Sequence, residues 1–417
     1  MNTLKNQYIK LWENTPDTFP SGWELFSDMQ RHEKDRRMGS YTDEIILLVK
    51  GFSDNNDEYQ SRWGTSLKKL LFNCGFNIIG LDSGSMDFLL NGGFCETTSA
   101  FITQAREFDE GFKTDDIMQA LRNVWIMNCI QKLTGQRIEA TPATFAYSML
   151  YPYTDNYLDA PSVSDKKKLQ VNDRFERRLA GELLEPGSSY ESKLFSLVHI
   201  IEQQYARSEY PMVYESLLGI HTAQSKSILQ HGKKGMQSSS DILQISIEKG
   251  GASVYADACL VKGRLSAEES SFMFGFGVLL QFLDDLQDAA VDRNNGHHTI
   301  FSKQESESSA ERNTNRLINF LQFLLEEDRC FTSSDAKQIK NIMTKSILFL
   351  LLGAAACNSR MYSRSYLTKL EGLSPLSFSY LKSFYKRIGR EYGKLRIKLA
   401  VKPIEVSMAK AFASATL

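Results

Sequence analysis

Apolar residues return every three to four positions along most of this chain, the spacing of one face of an α-helix. In "TDDIMQALRNVWIMNCIQKL" (114–133), Ile117, Leu121, Val124 and Trp125 share a face, and Ile126, Met127 and Ile130 spread apolar character around the second half. That end is therefore expected to be well buried. Thr114, Asp115 and Asp116 supply an acidic start for the helix. "ESKLFSLVHIIEQQYA" (191–206) repeats the pattern with Leu194, Leu197, Val198 and Ile201. Residues 311–328 and 334–357 give two more helices, 267–292 a further one, and 374–400 a long basic helix near the end of the sequence. Alternation of period two is rare. The expected class is all-α.

The interruptions are short and polar: "APSVSDKK" after residue 159, 231–241, "NNGHHT" (294–299) and "SKQESESSAERN" (302–313). The last is the most solvated and is expected to be a flexible loop. Gly250 and Gly251 fall inside a helical stretch and suggest a break, because paired glycines weaken a helix; a simple loop end there is the alternative. No repeat of solenoid length and no domain-splitting linker is visible. The expectation is one large helical bundle over 1–417, with residues 1–110 as a candidate peripheral N-terminal helical layer.

Composition narrows the class without changing it. The chain is 42% hydrophobic and 24% charged, with 9 prolines and 26 glycines, which suits a globular helical protein and not a turn-rich β fold. A net charge of −1 gives no bulk attraction to nucleic acid or acidic lipid. The six cysteines are scattered with no C-x-x-C pair, so a zinc site or disulfide framework is not expected. The N-terminal segment has no apolar core of a secretory signal. "SILFLLLGAAAC" (346–357) is too short to span a bilayer and reads as a buried helix. A cytoplasmic protein with no transmembrane segment is expected.

The candidate chemistry is carboxylate. In "LLQFLDDLQDAAVD" (279–292), a helix carries Asp284 and Asp288 one turn apart, Asp292 a turn further, and Asp285 beside Asp288. Like charges so close ask for open water or a hard cation, and Mg²⁺ takes one or two carboxylates together with substrate phosphates. A solvated face is the bland alternative. A second D-x-x-x-D helix end, "YPYTDNYLDAP" (151–161), carries Asp155 and Asp159, with Asn156 as a neutral oxygen donor. Facing helices ending this way suit a diphosphate head and an apolar tail.

"GFGVLLQFLDDLQD" resembles the second aspartate-rich motif of class I isoprenoid synthases, and "DNYLD" the first, with Asn156 where the second aspartate stands. "EKGGAS" (248–253) is similar to the family's lysine segment, and "GHHT" to its G-x-x-T loop. The resemblance spans roughly residues 145 to 303. It implies the isoprenoid-synthase bundle around an apolar cavity, and several Mg²⁺ ions bound with substrate diphosphate. Asp155, Asn156 and Asp159 would bind metal from one side and Asp284, Asp285 and Asp288 from the other. Lys249, Gln281, Arg177, Arg178, Arg387, Arg390 and Tyr392 would contact or enclose the diphosphate. For the last three, cations near a helix C-terminus are the alternative.

The sequence departs from chain-elongating prenyltransferases. No Arg-Arg-Gly follows Asp159, no Gly-Lys-Arg stands in the N-terminal third, and His297 and His298 replace the later lysine. A site for a second diphosphate is not expected. Those histidines are candidate proton acceptors or a solvent-exposed pair, and Lys166–Lys168 a spare anion patch or a solvated run. The expected activity is a terpene synthase acting on one linear prenyl diphosphate. The alternatives are a prenyltransferase, elongating or head-to-head, and a non-catalytic partner subunit of a prenyl synthase. A homodimer is left open.

Overall fold

Helices start where the sequence supplies caps. Ser27, Ser238 and Ser266 each accept a hydrogen bond from the backbone three residues on, and Gln30, Asp241 and Glu269 return one to the cap backbone. The computed structural model describes residues 1–417 except 55, 160–162, 231–237, 304–305, 328, 402–403 and 416–417. In chain order the helices are α1 (Asn2–Asn14), α2 (Asp28–Lys50), α3 (Asp57–Cys74), α4 (Ser83–Asn91), α5 (Phe94–Phe108) and α6 (Thr114–Leu133). There follow α7 (Pro142–Asp159), α8 (Asp165–Leu179), α9 (Ser189–Gln204), α10 (Pro211–Ser227), α11 (Ser239–Lys262) and α12 (Ala267–Gln287). The last are α13 (Ala289–Asn295), α14 (Glu307–Gln322), α15 (Ser334–Cys357), α16 (Arg364–Glu371), α17 (Phe378–Val401) and α18 (Glu405–Ser414). Among the described residues no β-strand forms, so the protein is all-α.

The centre of the bundle is α12. Phe272 through Leu279 are buried without interruption, as expected of a helix surrounded on all sides. Two glycines let its neighbours in. A Cβ on Gly277 would lie 2.0 Å from the Gly250 carbonyl oxygen of α11, and one on Gly275 would lie 2.4 Å from the Tyr8 hydroxyl of α1. On the α11 side, a Cβ on Gly251 would strike the Phe274 ring at 2.3 Å. The glycine pair therefore does not break α11, which runs continuously from Ser239 to Lys262. It serves close approach instead, and the packing of α12 repays the loss in helix propensity. α1 also belongs to this core, with Tyr8 and Trp12 both 3% exposed and Trp12 against Phe282. A smaller apolar cluster of Phe52, Trp63, Leu399, Ile404 and Ala411 joins the α2–α3 region to α17 and α18.

Two boundaries differ from the sequence pattern. The helix expected over 267–292 ends at Gln287, and the chain turns at Asp288 into α13. The polar stretch 302–313 is not all loop: Ser306 caps α14, and its serines and glutamates form the solvated side of that helix's first turns. The break at 231–241 falls mostly outside the described residues. α15 is the one helix among the described residues long and apolar enough to cross a membrane, yet 67% of its most apolar window is buried in the fold.

One core residue runs against the rule that buried charge is paired. Asp257, on α11, is fully buried, and neither carboxyl oxygen has a hydrogen-bond partner among the described residues. Burial pushes its pKa well above the ordinary carboxylate range, with Asn123 beside it acting in the opposite sense. Tyr147 lies close enough for the two to disfavour each other's ionisation.

Two predictions follow from this packing. Gly277→Ala forces α11 and α12 apart and lowers stability by about 1–3 kcal/mol, whereas Gly389→Ala, where an added Cβ meets nothing within 4 Å, gains about 0.5–1 kcal/mol; denaturant midpoints of the two variants check both signs. The Asp257 carboxyl is protonated in the fold and ionised in the unfolded chain at neutral pH. Wild-type stability is therefore fully present below the ordinary carboxylate pKa and falls as pH rises toward the raised value. Asp257→Asn removes that slope: equal melting points at pH ~4 and a variant higher by more than about 2 °C at pH ~8 are expected, and parallel curves would refute the protonated carboxyl.

Candidate functional site

Five helices converge on one cavity of about 270 Å³, and each gives it a stripe with helical spacing. The stripes are Gln119, Arg122, Asn123 and Ile126 on α6; Tyr147, Leu150, Tyr151 and Thr154 on α7; and Leu217, Ile220, His221 and Gln224 on α10. α11 contributes Lys249, Gly250, Ser253 and Val254, and α12 contributes Gly277, Leu280, Gln281 and Asp284. Phe175 and Leu179 of α8 complete the wall. The helix directions place Gln119, Thr154, Gln224, Lys249 and Asp284 at one end, the mouth. Ile126, Tyr147, Leu217, Val254 and Gly277 lie at the other. From Asp284 to Gly277 is roughly 10 Å of helix.

The two aspartate motifs meet at that mouth. Asp155 accepts hydrogen bonds from Gln224 at 2.9 Å and Gln119 at 3.4 Å. Asp284 lies 3.8 Å from the Arg122 guanidinium. Burial raises the Asp284 pKa, Arg122 and Lys249 draw it back, and Asp292 and Asp155 add to the rise. Tyr151 stands between the motifs, within the fields of Asp155, Lys249, Arg122 and Asp284. Lys249 forms no ion pair among the described residues. Because α7, α10 and α12 all end here, their C-terminal carbonyl dipoles add negative potential to the carboxylates. The mouth is thus an electronegative rim with two cations, Arg122 and Lys249, set into it.

Other candidates are placed differently. Asp285 is 3% exposed and turned away from the cavity, accepting from Gln281 at 2.8 Å and Ser246 at 3.2 Å. Burial, opposed by the Gln281 hydrogen bond, holds its pKa up at about 7. Asp288 is exposed at the end of α12, its pKa raised by partial burial and by Asp284 and Asp292. Asn156 points to Asp116 of α6, donating at 2.8 Å. Asp159 ends α7, and its side chain lies outside the described residues. Among the described residues no three acidic, histidine or cysteine side chains converge on a point that could hold a metal ion.

The basic candidates do not reach the cavity. Arg177 pairs with Glu182, and Arg178 with Glu202, and neither lines the cavity. Arg387 pairs with Asp43 and Arg390 with Glu391. Tyr392 donates to Asp115 at 3.1 Å, and Arg396 joins it there, so α17 docks on the start of α6 near the mouth without lining it. His297 is half-buried and bound to Asp292, not freely solvated. The His298 backbone N–H donates to the Gln230 carbonyl, and the Gln230 side-chain amide donates to the His298 carbonyl.

Sequence reasoning missed Gln119, Arg122, Gln224 and His221. A signal existed. Gln119, Arg122, Asn123 and Ile126 already stand at helical spacing in the sequence, on a face other than the apolar one read from 114–133. Comparison with protein-family models, with curated proteins and with solved structures found no match for this chain.

Proposed function

We propose that the protein is a class I terpene synthase-like enzyme, dependent on Mg²⁺, that ionises a linear prenyl diphosphate and releases inorganic diphosphate. The observation that carries this reading is the pairing of Asp155 and Asp284 across the mouth of one cavity, with Lys249 and Arg122 between the motifs. The donor chemistry fits the cation: carboxylate oxygens suit Mg²⁺, which keeps places for phosphate oxygens and does not require an all-protein cage. Asp155, Asp284 and Asp288 would hold it, joined by Asp159 on the resemblance of "DNYLD". When bound, it supplies Lewis-acid stabilisation of the charge on the departing diphosphate.

The chain's own residues do the rest. Lys249 and Arg122 bind phosphate oxygens and offset the negative rim. The wall below them changes to Leu150, Ile220, Leu280, Val254, Leu217 and Ile126, against which a prenyl chain lies. Tyr147, Tyr151 and Phe175 line the same space, and ring faces turned toward it would favour an allylic cation. Arg177, Arg178 and Arg207 are all engaged by Glu182 or Glu202, which leaves no free arginine cluster there among the described residues for a second diphosphate. That favours one-substrate chemistry over chain elongation.

The test is a panel of linear prenyl diphosphates, from geranyl to heptaprenyl, incubated with Mg²⁺ and followed by diphosphate release and product mass. Turnover of one member without isopentenyl diphosphate is expected, and Asp155→Ala or Asp284→Ala should lower it by at least about 10²-fold while the melting curve stays cooperative. Full activity in both variants would remove the reading. A product of doubled carbon number, or dependence on isopentenyl diphosphate, would reassign the protein as a transferase.

A further inference from the structure

Cations formed in a closed cavity end either by losing a proton or by capturing water. On the reading of the cavity as a prenyl-ionising site, we infer that His221 is the proton acceptor, so that the product is an olefin and not an alcohol. His221 lies on α10, one turn below Gln224, the residue that bonds Asp155 at the mouth. It borders the cavity, is 8% exposed, and its Nε2 has no hydrogen-bond partner among the described residues. Its ring stands edge-on to Phe175, with centroids 5.3 Å apart and planes at 77°, which fixes its orientation.

Burial depresses the His221 pKa, and Glu176 on α8 opposes that shift only in part, so the ring is neutral at neutral pH and one nitrogen carries a lone pair. An unpartnered buried acceptor costs stability. The amides of this wall nearest the mouth are engaged: Gln224 by Asp155, Gln281 by Asp285, Asn123 by Ser148. His221 differs from them in being a base. In the step assigned to it, a C–H bond adjacent to the cationic carbon breaks and its electron pair becomes the new C=C bond. The proton goes to the imidazole, and the imidazolium, favoured by nearby Glu176, returns it to solvent when the product leaves.

The experiment uses the full chain with Mg²⁺ and the prenyl diphosphate that the panel identifies, measuring diphosphate release and the olefin-to-alcohol ratio together. His221→Phe keeps an aromatic ring against Phe175 and removes the unpartnered nitrogen, so it should fold at least as well as wild type; His221→Gln keeps a polar side chain without a comparable base. In both, diphosphate release is expected to persist while the olefin-to-alcohol ratio falls at least about 10²-fold, the low side of the ~10²–10⁴ typical of general-base catalysis. An unchanged ratio in both variants, with release intact, overturns the assignment of His221 and leaves the ionisation reading standing. Wild-type protein that releases no diphosphate from any member removes that reading, and the assignment with it.

Discussion

The contact between α11 and α12 governs much of this molecule. Backbone meets backbone where Gly250 faces Gly277, and the Phe274 ring covers Gly251, an approach that no side chain at those three positions would allow. Antiparallel helices this close share a fixed register. Ser246 falls beside Asp285, and Gly250 beside Gln281. That register brings Lys249, midway along one helix, into the field of Asp284 at the end of the other. Helix packing and site electrostatics are therefore one constraint: a displacement large enough to admit a methyl group would also move the cation relative to the carboxylate. Gly275 extends the same logic to α1, whose Tyr8 could not otherwise reach the core.

The mouth inverts the usual preference of helices for cations at their C-termini. α7 ends in Asp155 and Asp159, α12 ends near Asp284, Asp285 and Asp288, and no lysine or arginine occupies the last turn of either. Dipole and side chains then push in one direction, and the neighbouring carboxylates add to the rise in the Asp284 and Asp288 pKa values that burial sets. Neutral amides, Gln119 and Gln224, bind Asp155 where a cation would neutralise it. Elsewhere the chain pairs its charges readily, as the Arg178–Glu202–Arg207 group shows. Against that background the rim stands out for carboxylates that neighbouring cations compensate only in part.

Much of this was legible in the sequence, for a physical reason. The all-α class and the α6, α9 and α15 spans follow from period alone, since an amphipathic or fully apolar stretch of that length has few other ways to bury itself. The two aspartate motifs were legible because charge behind an apolar run is costly wherever it occurs. The role of Gly250 and Gly251 was not, since low helix propensity is a local property and close packing is decided by a partner outside that stretch. Arg177 and Arg178 could be read as phosphate contacts only while their carboxylate partners were unknown. Glu202 is contributed by α9 and has no sequence signature as a partner. Asp285 illustrates the same limit at finer scale: one residue from Asp284, it lies about 100° further round the helix and does not line the cavity.

The cavity stripes explain how a polar mouth grades into a wall of mixed polar and aliphatic residues without a dedicated binding loop. Positions i, i+3, i+4 and i+7 of a helix descend along one wall, so the order of residue types in the sequence becomes an order in depth. α6 reads Gln119, Arg122, Asn123, Ile126 going down, and α12 read backwards from the mouth gives Asp284, Gln281, Leu280, Gly277. Two groups depart from this grading. His221 stands one turn below the mouth with an unengaged nitrogen, and Asp257 lies behind the Asn123–Tyr147 wall with an unengaged carboxyl. Each costs stability that an apolar residue of similar size would not. Asn128 and Thr344 also carry an unpartnered buried oxygen, but His221 and Asp257 border or back the cavity, which gives a reason to look for their purpose there.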